Sequence, residues 1–281
     1  MDLKATIIIL DFMKASRVVK NVGCIMAQEV DFGFKVVVID NSCNESNANI
    51  LKDGLKDYKN VELVINPQNS GYIKAHNEIK DRIEGNYIVI VNPDVLFKEK
   101  EALGKMVSFM DANPNVGILG PKQINDSGEI AMTVRAWPKL YVQVARRTFL
   151  RQWPWFKDKV AYDEMRHLDY SKTQDVDWVQ SSCIIVRKDL WNRIGRLNEN
   201  YFLFMSDVEL CVESWKNKLR VVYYPEAQVY ADGKRLSAGG FLTFFKSWTL
   251  RQHVRDALKY RMKYFLVANP RKEYYRSIRK K

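Results

Sequence analysis

The first half of the chain alternates short apolar runs with longer amphipathic stretches. Runs rich in β-branched residues predict four strands, at Ala5–Leu10, Lys35–Asp40, Val61–Ile65 and Tyr87–Val91. Helical periodicity lies between them, at about Ala15–Glu29, Glu45–Tyr58 and Tyr72–Ile83. Nearly continuous apolar strands separated by helices are typical of a parallel sheet covered on both faces. The pattern therefore predicts an α/β fold with a mostly parallel central sheet flanked by helices.

The second half is less regular. It predicts a helix from Ser206 to Leu219, because apolar residues recur there every three or four positions. Aromatic and basic residues without a clear period fill the interval from Trp137 to Tyr170. We expect one globular domain over residues 1–240 and a helical C-terminal extension over residues 241–281. Further strands are predicted at Val116–Gly120, Ile130–Arg135, Val176–Val186 and Arg220–Tyr224, the last closed by Pro225.

Length and composition fit a globular protein. The 281 residues are 47% hydrophobic and 28% charged, which argues against wholesale disorder. The apolar run Ala5–Leu10 is far shorter than the ~20 residues that span a bilayer, and the N-terminus does not resemble a secretory signal. Four cysteines form no CxxC pair or Cys/His cluster, which argues against a structural zinc site. We expect a cytoplasmic protein, peripheral on the inner face of the cell membrane.

The net charge of +12 is concentrated at the C-terminus. Residues 241–281 contain twelve Lys or Arg against two acidic residues, a net charge of +10, which leaves +2 for the rest of the chain. One predicted helix in this region has an aromatic face. Aromatic residues together with many basic residues favour contact with an anionic membrane surface. The alternative is that the same face packs on the protein body. The face consists of Phe241, Phe244, Phe245 and Trp248.

Polar residues follow each of the first four predicted strands. Because the carboxyl ends of parallel strands meet at one edge of the sheet, where open α/β sheets bind ligands, the four groups together favour a site. Each group taken singly is equally an ordinary turn or N-cap. The groups are Asp11, Asp40–Ser42, Asn66–Gly71 and Asn92–Asp94.

Six segments carry a resemblance to a known family. In chain order they are Ile39–Ser42, Asn69–Asn77, Asn92–Asp94, Val176–Cys183, Phe204–Cys211 and Val221–Ala227. Their ordered set resembles the family 2 glycosyltransferases, most closely the bacterial rhamnosyltransferase-like branch, over about residues 5–235. The resemblance implies a GT-A (nucleotide-diphospho-sugar transferase) fold. It also implies inverting, metal-dependent transfer of a sugar, such as rhamnose, from a dTDP- or UDP-linked donor to a glycan or polyprenyl-diphosphate-linked acceptor in bacterial surface polysaccharide synthesis.

The resemblance assigns the metal and the base. Asp94 occupies the last position of the family's DxD-like motif and would hold Mg²⁺ or Mn²⁺, while Asn92 replaces the first Asp. Asp232 stands near the position of a family histidine and is a weaker candidate ligand. Asp207 matches the general base. A structural alternative exists for that segment. Ser206 and Glu209 would form a capping box, and Asp207 in the first helical turn would be favoured by the helix dipole alone.

The remaining site residues concern the donor and the acceptor. Asp40 matches the family position that hydrogen-bonds the nucleobase, and the imino N–H of uracil or thymine suits a carboxylate acceptor. The predicted nucleotide-sugar-binding residues are Asp11, Asp40, Asn69, Gly71, Lys74, Asn77, Asn92 and Arg135, of which Arg135 could equally be a surface arginine. The predicted acceptor-binding residues are Trp178, Ser181 and Ser182.

Two other functions remain open from the sequence. A nucleic-acid-binding protein could grip phosphates with the basic, aromatic tail, although the nearly neutral body argues against it, and we expect no nucleic-acid partner. A catalytically inactive sugar-nucleotide-binding partner of another transferase is suggested by Ser206, which stands where the family has a second carboxylate.

Overall fold

A computed structural model describes residues 1–231 and 248–279 of the chain. Within them the strands are β1 (Leu3–Asp11), β2 (Gly33–Asp40), β3 (Val61–Ile65), β4 (Tyr87–Val91), β5 (Val95–Leu96), β6 (Val116–Ile124), β7 (Val134–Arg135), β8 (Gln174–Asp175), β9 (Trp178–Val179), β10 (Cys183–Arg187) and β11 (Arg220–Ala231). The α-helices are α1 (Ala15–Met26), α2 (Glu45–Leu55), α3 (Gly71–Glu78), α4 (Ala102–Ala112), α5 (Leu140–Arg147), α6 (Pro154–Asp163), α7 (Lys188–Arg193), α8 (Ser206–Lys216), α9 (Trp248–Tyr264) and α10 (Pro270–Arg279). Short 3₁₀ turns lie at Lys80–Arg82 and Phe149–Gln152.

The central sheet is mostly parallel, as the sequence predicts. Its strand order is β3-β2-β1-β4-β10-β6-β11-β5, with β8 paired to the far side of β11. The pairs β3–β2, β2–β1, β1–β4 and β6–β11 are parallel. The strand β10 runs antiparallel to both β4 and β6, so its first residue, Cys183, lies opposite the last residue of β4, Val91. The loop that enters β10 therefore starts at the edge where the first four strands end.

Two hydrophobic cores cover the two faces of the sheet. Successive side chains of β1 alternate between them, because side chains of a strand point to opposite faces. Ile7 and Ile9 pack with residues of α1, α2 and α4, whereas Ile8 packs with residues of α3, α8 and α9. Both faces of β1, β2 and β4 are largely buried, and this burial accounts for the nearly continuous apolar character of these strands.

The four strand predictions in the second half are wrong in their extent. The strand predicted at Val116–Gly120 continues to Ile124. Only Val134–Arg135 of the predicted strand Ile130–Arg135 is extended, as part of a separate ribbon with β9. The predicted strand Val176–Val186 is divided into β9 and β10 by a turn. The strand β11 does not stop at Pro225 but continues to Ala231. Its pairing with β6 shifts register between Tyr224 and Gln228, so proline, which has no backbone N–H to donate, lies where the ladder is interrupted.

Residues 248–279 of the C-terminal extension form the helices α9 and α10, which pack on the rest of the protein. Tyr260 and Tyr264 of α9 are buried in the same core as Ile8. Arg271 of α10 pairs with Asp177 at 3.4 Å. The inner faces of α9 and α10 therefore pack on the protein, while the alternative for the face of Phe241, Phe244, Phe245 and Trp248 stays a prediction. Of the predicted membrane-facing set, Phe241, Phe244 and Phe245 lie outside the described residues.

In the ranges 1–231 and 248–279, no helix combines the length and the apolar character that crossing a membrane requires.

Candidate active site

Two carboxylates meet at the carboxyl edge of the sheet. Asp11 and Asp40 end the neighbouring strands β1 and β2 in direct register, and both are buried. The amide of Asn47, in the first turn of α2, lies between them and donates to Asp11 Oδ2 at 2.5 Å and to Asp40 Oδ1 at 3.2 Å. Asn47 thus neutralises part of the repulsion that two adjacent buried carboxylates would otherwise have.

The electrostatics of this pair differ from those of exposed aspartates. Burial raises the pKa of Asp11, and the nearby charge of Asp40 acts in the same direction. Asp40 Oδ1 accepts the Ser42 N–H at 3.0 Å, but the buried Oδ2 has no hydrogen-bond partner among the residues that the structure describes. A buried acceptor without a partner is uncommon in proteins and is suited to a ligand that donates.

Asn47 was not predicted as a site residue. The available signal was Asn44, whose side chain accepts the Asn47 N–H at 2.9 Å and so caps α2. Recognition of that cap would have placed Asn47 in the first helical turn, next to the strand ends.

A network of amides fixes the loop between β3 and α3. Asn41 donates to Asn69 at 2.9 Å, and the Asn41 Oδ1 accepts from both Asn66 and the Ser70 N–H at 3.1 Å. Asn69 also accepts the Gly71 N–H at 3.0 Å. The predicted donor-binding residue Asn69 therefore shapes this loop, and its contact with a nucleotide stays a prediction.

Gly71 has a structural reason to be glycine. Its φ of +81° is disfavoured for other residues, and a Cβ atom there would lie 2.7 Å from the ring of Phe202. The neighbouring Tyr72 N–H donates to the Phe202 carbonyl at 3.0 Å. The start of α3 is thus attached to the segment that precedes α8.

Asp207 lies in a small cluster with Ser181 and Tyr72. Its partly buried carboxylate accepts the Val208 N–H at 2.9 Å, and the Ser181 N–H lies close enough to lower its pKa. The hydroxyl of Tyr72 donates to Ser181 Oγ at 3.3 Å. The predicted base and a predicted acceptor-binding residue are therefore close together, with a tyrosine that was not predicted.

Burial raises the pKa of Asp207 to about 6, although the backbone hydrogen bonds lower it. Asp207 in turn influences Tyr72, Cys211 and Tyr260, and burial raises the pKa of each of these three groups. Near neutral pH these three groups are uncharged while Asp207 is largely ionised. The site therefore contains a carboxylate that is more basic than an ordinary aspartate.

The capping-box alternative is wrong. The residue before α8 is Met205, which adopts a left-handed conformation with φ of 70° and makes no side-chain cap. Ser206 lies inside the helix, and the carboxylate of Glu209 accepts from Asn198 and Lys263 instead of returning to the helix start. Capping therefore does not explain this segment, and the role of Asp207 as a base stays a prediction.

The Ser181–Ser182 turn joins the base candidate to the metal candidate. The Ser182 carbonyl accepts the Asn92 N–H at 2.8 Å, and its hydroxyl exchanges hydrogen bonds with Gln123. Asp94 lies two residues beyond Asn92, half-buried, at the start of β5. The antiparallel direction of β10 brings this turn to the edge where β4 ends.

The other predicted site residues lie away from these contacts. Lys74 is exposed and faces Glu78 at 3.9 Å. The buried amide of Asn77 exchanges hydrogen bonds with the backbone of Leu197, at 2.8 and 3.1 Å. Arg135 is 4% exposed, which excludes the surface alternative, and it donates to the carbonyl of its neighbour Val134. Trp178 donates its indole N–H to the Ala136 carbonyl at 2.9 Å. Nucleotide or acceptor contacts of these residues stay predictions.

A divalent cation would have one carboxylate ligand in this region. No group of three or more His, Cys, Asp or Glu side chains with metal-binding spacing occurs in residues 1–231 and 248–279, and Asp232 lies outside them. Asp94 and the amide of Asn92 offer the oxygen ligands that Mg²⁺ and Mn²⁺ accept. Such a donor set suits a cation that takes its other ligands from a substrate and water.

Comparison with known proteins connects this arrangement to a family. Residues 5–255 match the model of the family described as "Glycosyltransferase like family 2". A curated relative in two strains of Mycobacterium tuberculosis, named N-acetylglucosaminyl-diphospho-decaprenol L-rhamnosyltransferase, is 26% identical over 208 residues. That match covers 69% of this chain and 65% of the relative's length.

Solved structures with the same fold include a mannosyltransferase and the protein TarS. A mannosyltransferase from Pyrobaculum calidifontis, in complex with GDP-Man and Mn²⁺, has a TM-score of 0.58 at 16% identity, and the match covers 83% of this chain and 58% of that one. TarS of S. aureus, residues 1–349 in complex with UDP-GlcNAc, has a TM-score of 0.57 at 17% identity, with 84% and 61% covered. At this identity the likeness shows the fold, which is GT-A as predicted.

Proposed function

The chain belongs to glycosyltransferase family 2, and from this membership we propose that it transfers a sugar, with inversion, from a nucleotide-diphosphate donor to a lipid-linked acceptor. The observation that carries the proposal is the continuous contact from Asn92 through Ser182 and Ser181 to Asp207. This contact connects a cation candidate and a basic carboxylate at the edge of the sheet where ligands of α/β folds bind.

The nucleobase of the donor is assigned to Asp40. Its Oδ2 is buried without a partner in the part of the chain that the structure describes, and the imino N–H of uracil or thymine is a suitable donor for it. The Asn47 amide holds Asp40 in place, because it donates one hydrogen bond to Asp40 and another to Asp11. The Asn41–Asn69 network keeps the β3–α3 loop beside this pocket.

Asp94, with the Asn92 amide, is assigned to a divalent cation. Bound there, Mg²⁺ or Mn²⁺ supplies positive charge against the diphosphate that leaves the sugar. The mannosyltransferase of the same fold was solved with Mn²⁺, which supports this choice of metal. The single carboxylate leaves the remaining ligand positions to donor oxygens and water.

Asp207 is assigned the proton transfer. The acceptor hydroxyl attacks the anomeric carbon as its proton moves to the Asp207 carboxylate, and the bond from that carbon to the diphosphate oxygen breaks on the opposite face. A pKa of about 6 keeps the carboxylate ionised at neutral pH yet basic enough to accept the proton. Ser181, whose N–H lies close to Asp207, orients the carboxylate.

The sugar and the acceptor are inferred from the curated relative. Its name describes L-rhamnosyl transfer to N-acetylglucosaminyl-diphospho-decaprenol. We therefore assign rhamnose as the sugar and a polyprenyl-diphosphate-linked sugar as the acceptor of this chain. Such an acceptor resides in a membrane, which agrees with a basic C-terminal region.

The test is transfer by purified protein. We expect product from dTDP-rhamnose and a short-chain polyprenyl-diphosphate-N-acetylglucosamine with Mn²⁺ or Mg²⁺, detected by mass spectrometry, and loss of product with a chelator. UDP-sugars and other dTDP-sugars serve as alternative donors. Binding of nucleotide sugars without transfer or hydrolysis of any donor would identify an inactive sugar-nucleotide-binding protein instead.

Membrane attachment is proposed for the C-terminal region. The side of α9 opposite the buried tyrosines exposes Leu258, Met262 and, just past its end, Phe265, which are 56%, 83% and 79% accessible. Residues 241–281 carry a net charge of +10. Apolar insertion and attraction to anionic lipid add together on such a surface.

Vesicle sedimentation tests this attachment without disturbing the fold. We expect the full-length protein to sediment with phosphatidylglycerol-containing vesicles and less at high salt, because salt screens the charges. The double substitution Met262→Glu/Phe265→Glu should weaken binding by about tenfold or more, since both side chains would insert. Ile50→Glu, at an exposed apolar position of α2, is the matched control. Full-length protein that ignores these vesicles at low salt would refute the attachment.

A further inference from the structure

The helix α9 places a fully buried carboxylate against the loop that precedes Asp207. Asp256 has 0% exposure. Its Oδ2 accepts the N–H groups of Leu203 and Phe204 at 3.1 and 3.0 Å, and both oxygens lie 3.3–3.4 Å from the Phe202 nitrogen. Gln252, one turn earlier, donates to Oδ1 at 2.9 Å. Three consecutive backbone N–H groups around one anion form the concavity known as a nest.

The loop held by Asp256 is connected on both sides to the candidate active site. At its first residue, the Phe202 carbonyl accepts from Tyr72, and the Phe202 ring fills the space beside Gly71. At its end, the left-handed Met205 turns the chain into α8, two residues before Asp207. A shift of this loop would therefore move the base relative to Tyr72.

A buried carboxylate destabilises an ordinary helix contact more than an apolar side chain does. Burial of an ionised side chain costs several kcal/mol unless hydrogen bonds replace its water, whereas an apolar residue packs without that cost. The neighbouring inward residues of α9, Tyr260 and Tyr264, pack their rings in the core without burying a charge. The charge at position 256 is matched specifically to the N–H groups of the loop, and this match indicates a role in fixing the loop.

From this geometry we infer that Asp256 is a positioning residue for glycosyl transfer: it clamps residues 202–204 so that the following turn directs the Asp207 carboxylate toward the acceptor hydroxyl. The inference rests on the proposed function, because it takes Asp207 as the base. It makes α9 a component of the active site, so that a chain ending at residue 240 would lose catalysis for a reason unrelated to membranes.

The experiment compares three variants of the full-length enzyme. Asp256→Ala removes every acceptor from the nest, and Asp256→Asn keeps the shape and one oxygen for Leu203 and Phe204. The control is Asp175→Asn, another buried carboxylate, which binds Arg220 and the tail residue Tyr275. Steady-state kinetics and urea unfolding are measured for all three.

Misplacement of a catalytic group by a fraction of an ångström lowers turnover more than substrate binding. We expect kcat to fall ~10- to 100-fold in Asp256→Ala and by less in Asp256→Asn, with the donor KM within ~3-fold of wild type. Asp175→Asn should lose stability while its kcat stays within ~2-fold. If Asp256→Ala does not fold, Asp256→Asn decides by the same criteria.

The acid limb of kcat against pH supplies a second readout. In the wild type it reports the raised pKa of Asp207, about 6, in an environment where the facing groups Tyr72, Cys211 and Tyr260 are uncharged. A loosened loop admits water, so the limb should move to lower pH in the Asp256 variants and remain in place in Asp175→Asn.

Two results would overturn the inference in distinguishable ways. If Asp207→Asn greatly reduces transfer while the Asp256 variants keep the wild-type kcat and acid limb, Asp256 is only a packing residue. If Asp207→Asn itself turns over at the wild-type rate, the assignment of the base fails first, and the positioning role fails with it.

Discussion

Replacement of Asp207 by asparagine is expected to stop transfer and to stabilise the fold at the same time. Burial raises the pKa of this carboxyl from its ordinary value of 3.8 to about 6. Each pKa unit corresponds to about 1.4 kcal/mol, so ionised Asp207 costs the folded state up to about 3 kcal/mol above pH 6. The asparagine amide brings its own need for partners, at about 1 kcal/mol, which leaves an expected gain of about 1–2 kcal/mol at pH 8.

The raised pKa of Asp207 determines whether the stability of the fold rises or falls with pH. Because the folded pKa is raised, the stability linked to Asp207 is fully present below the unfolded value and is lost as the pH rises through about 6. The variant should therefore be slightly less stable than wild type at pH 4, where the amide cost of about 1 kcal/mol exceeds the small ionisation penalty, and its advantage should reach a maximum above pH 7. Urea unfolding at several pH values measures it, and transfer assays should show a fall of ~10²-fold or more with donor binding retained.

Two results for Asp207→Asn would refute this reasoning. A variant that is less stable than wild type by the same amount at pH 4 and pH 8 would mean that the carboxylate is not penalised by burial. Undiminished turnover in that variant would mean that another group takes the proton.

Three further predictions concern neighbouring parts of the site. Asp94→Ala should abolish the Mn²⁺-dependent increase in Tm that a nucleotide sugar produces, with the Tm of the free protein nearly unchanged; wild-type turnover in the presence of metal would contradict this. Asn47→Ala leaves Asp11 and Asp40 without their shared donor and should cost ~1–3 kcal/mol of unfolding free energy, more at pH 8 than at pH 5; a loss independent of pH would contradict it. Gly71→Ala should cost ~1–3 kcal/mol and reduce transfer, because its Cβ would strike Phe202, whereas Gly128→Ala, with φ of +80° and open space, should show only the smaller conformational cost and wild-type transfer.

Three strands of the first half, β1, β2 and β4, were predictable because they are buried along most of their length, whereas the edge strand β3 is only partly buried and was found from its β-branched residues. β3 and β4 have the predicted bounds, and β1 and β2 differ by at most two residues at either end. A strand covered on both faces must be apolar at nearly every position, and polar residues mark its end. The same logic indicated the edge where Asp11 and Asp40 meet.

The second half was harder because its elements are short and their partners lie far away in sequence. The turn that ends β9 is set by Ser181 and Ser182, whose bonds reach Tyr72, Gln123 and Asn92. Local periodicity contains no information about such contacts. It also could not indicate that β11 continues past Pro225, since the register shift depends on β6.

The loop of residues 202–204, which precedes Asp207, shows a second limit of prediction from sequence. The sequence around Ser206 matches a capping box, but Met205 in a left-handed turn takes the place of the cap. That turn is held from outside by Asp256, about fifty residues later. The only local sign of this role was Asp256 itself, an acidic residue in a region with twelve basic ones. Composition alone gives no reason to treat it differently from other charges of a solvated tail.

The reversed strand β10 has a consequence for how such a protein can vary. Between the end of β6 and the start of β10 the chain makes an excursion over residues 125–182, part of which has a small core of its own around Val142, Ala145 and Val160. Because β10 re-enters beside β4, the excursion begins and ends at fixed points of the sheet. Insertions or exchanges within it, outside β7, β8 and β9, can reshape the surroundings of Ser181 without altering the strand order of the sheet or the Asp11–Asp40 pair at the ends of β1 and β2. Under the proposed function, in which Trp178, Ser181 and Ser182 contact the acceptor, the acceptor of such a protein can change through this excursion while the strands that carry Asp11 and Asp40 stay the same.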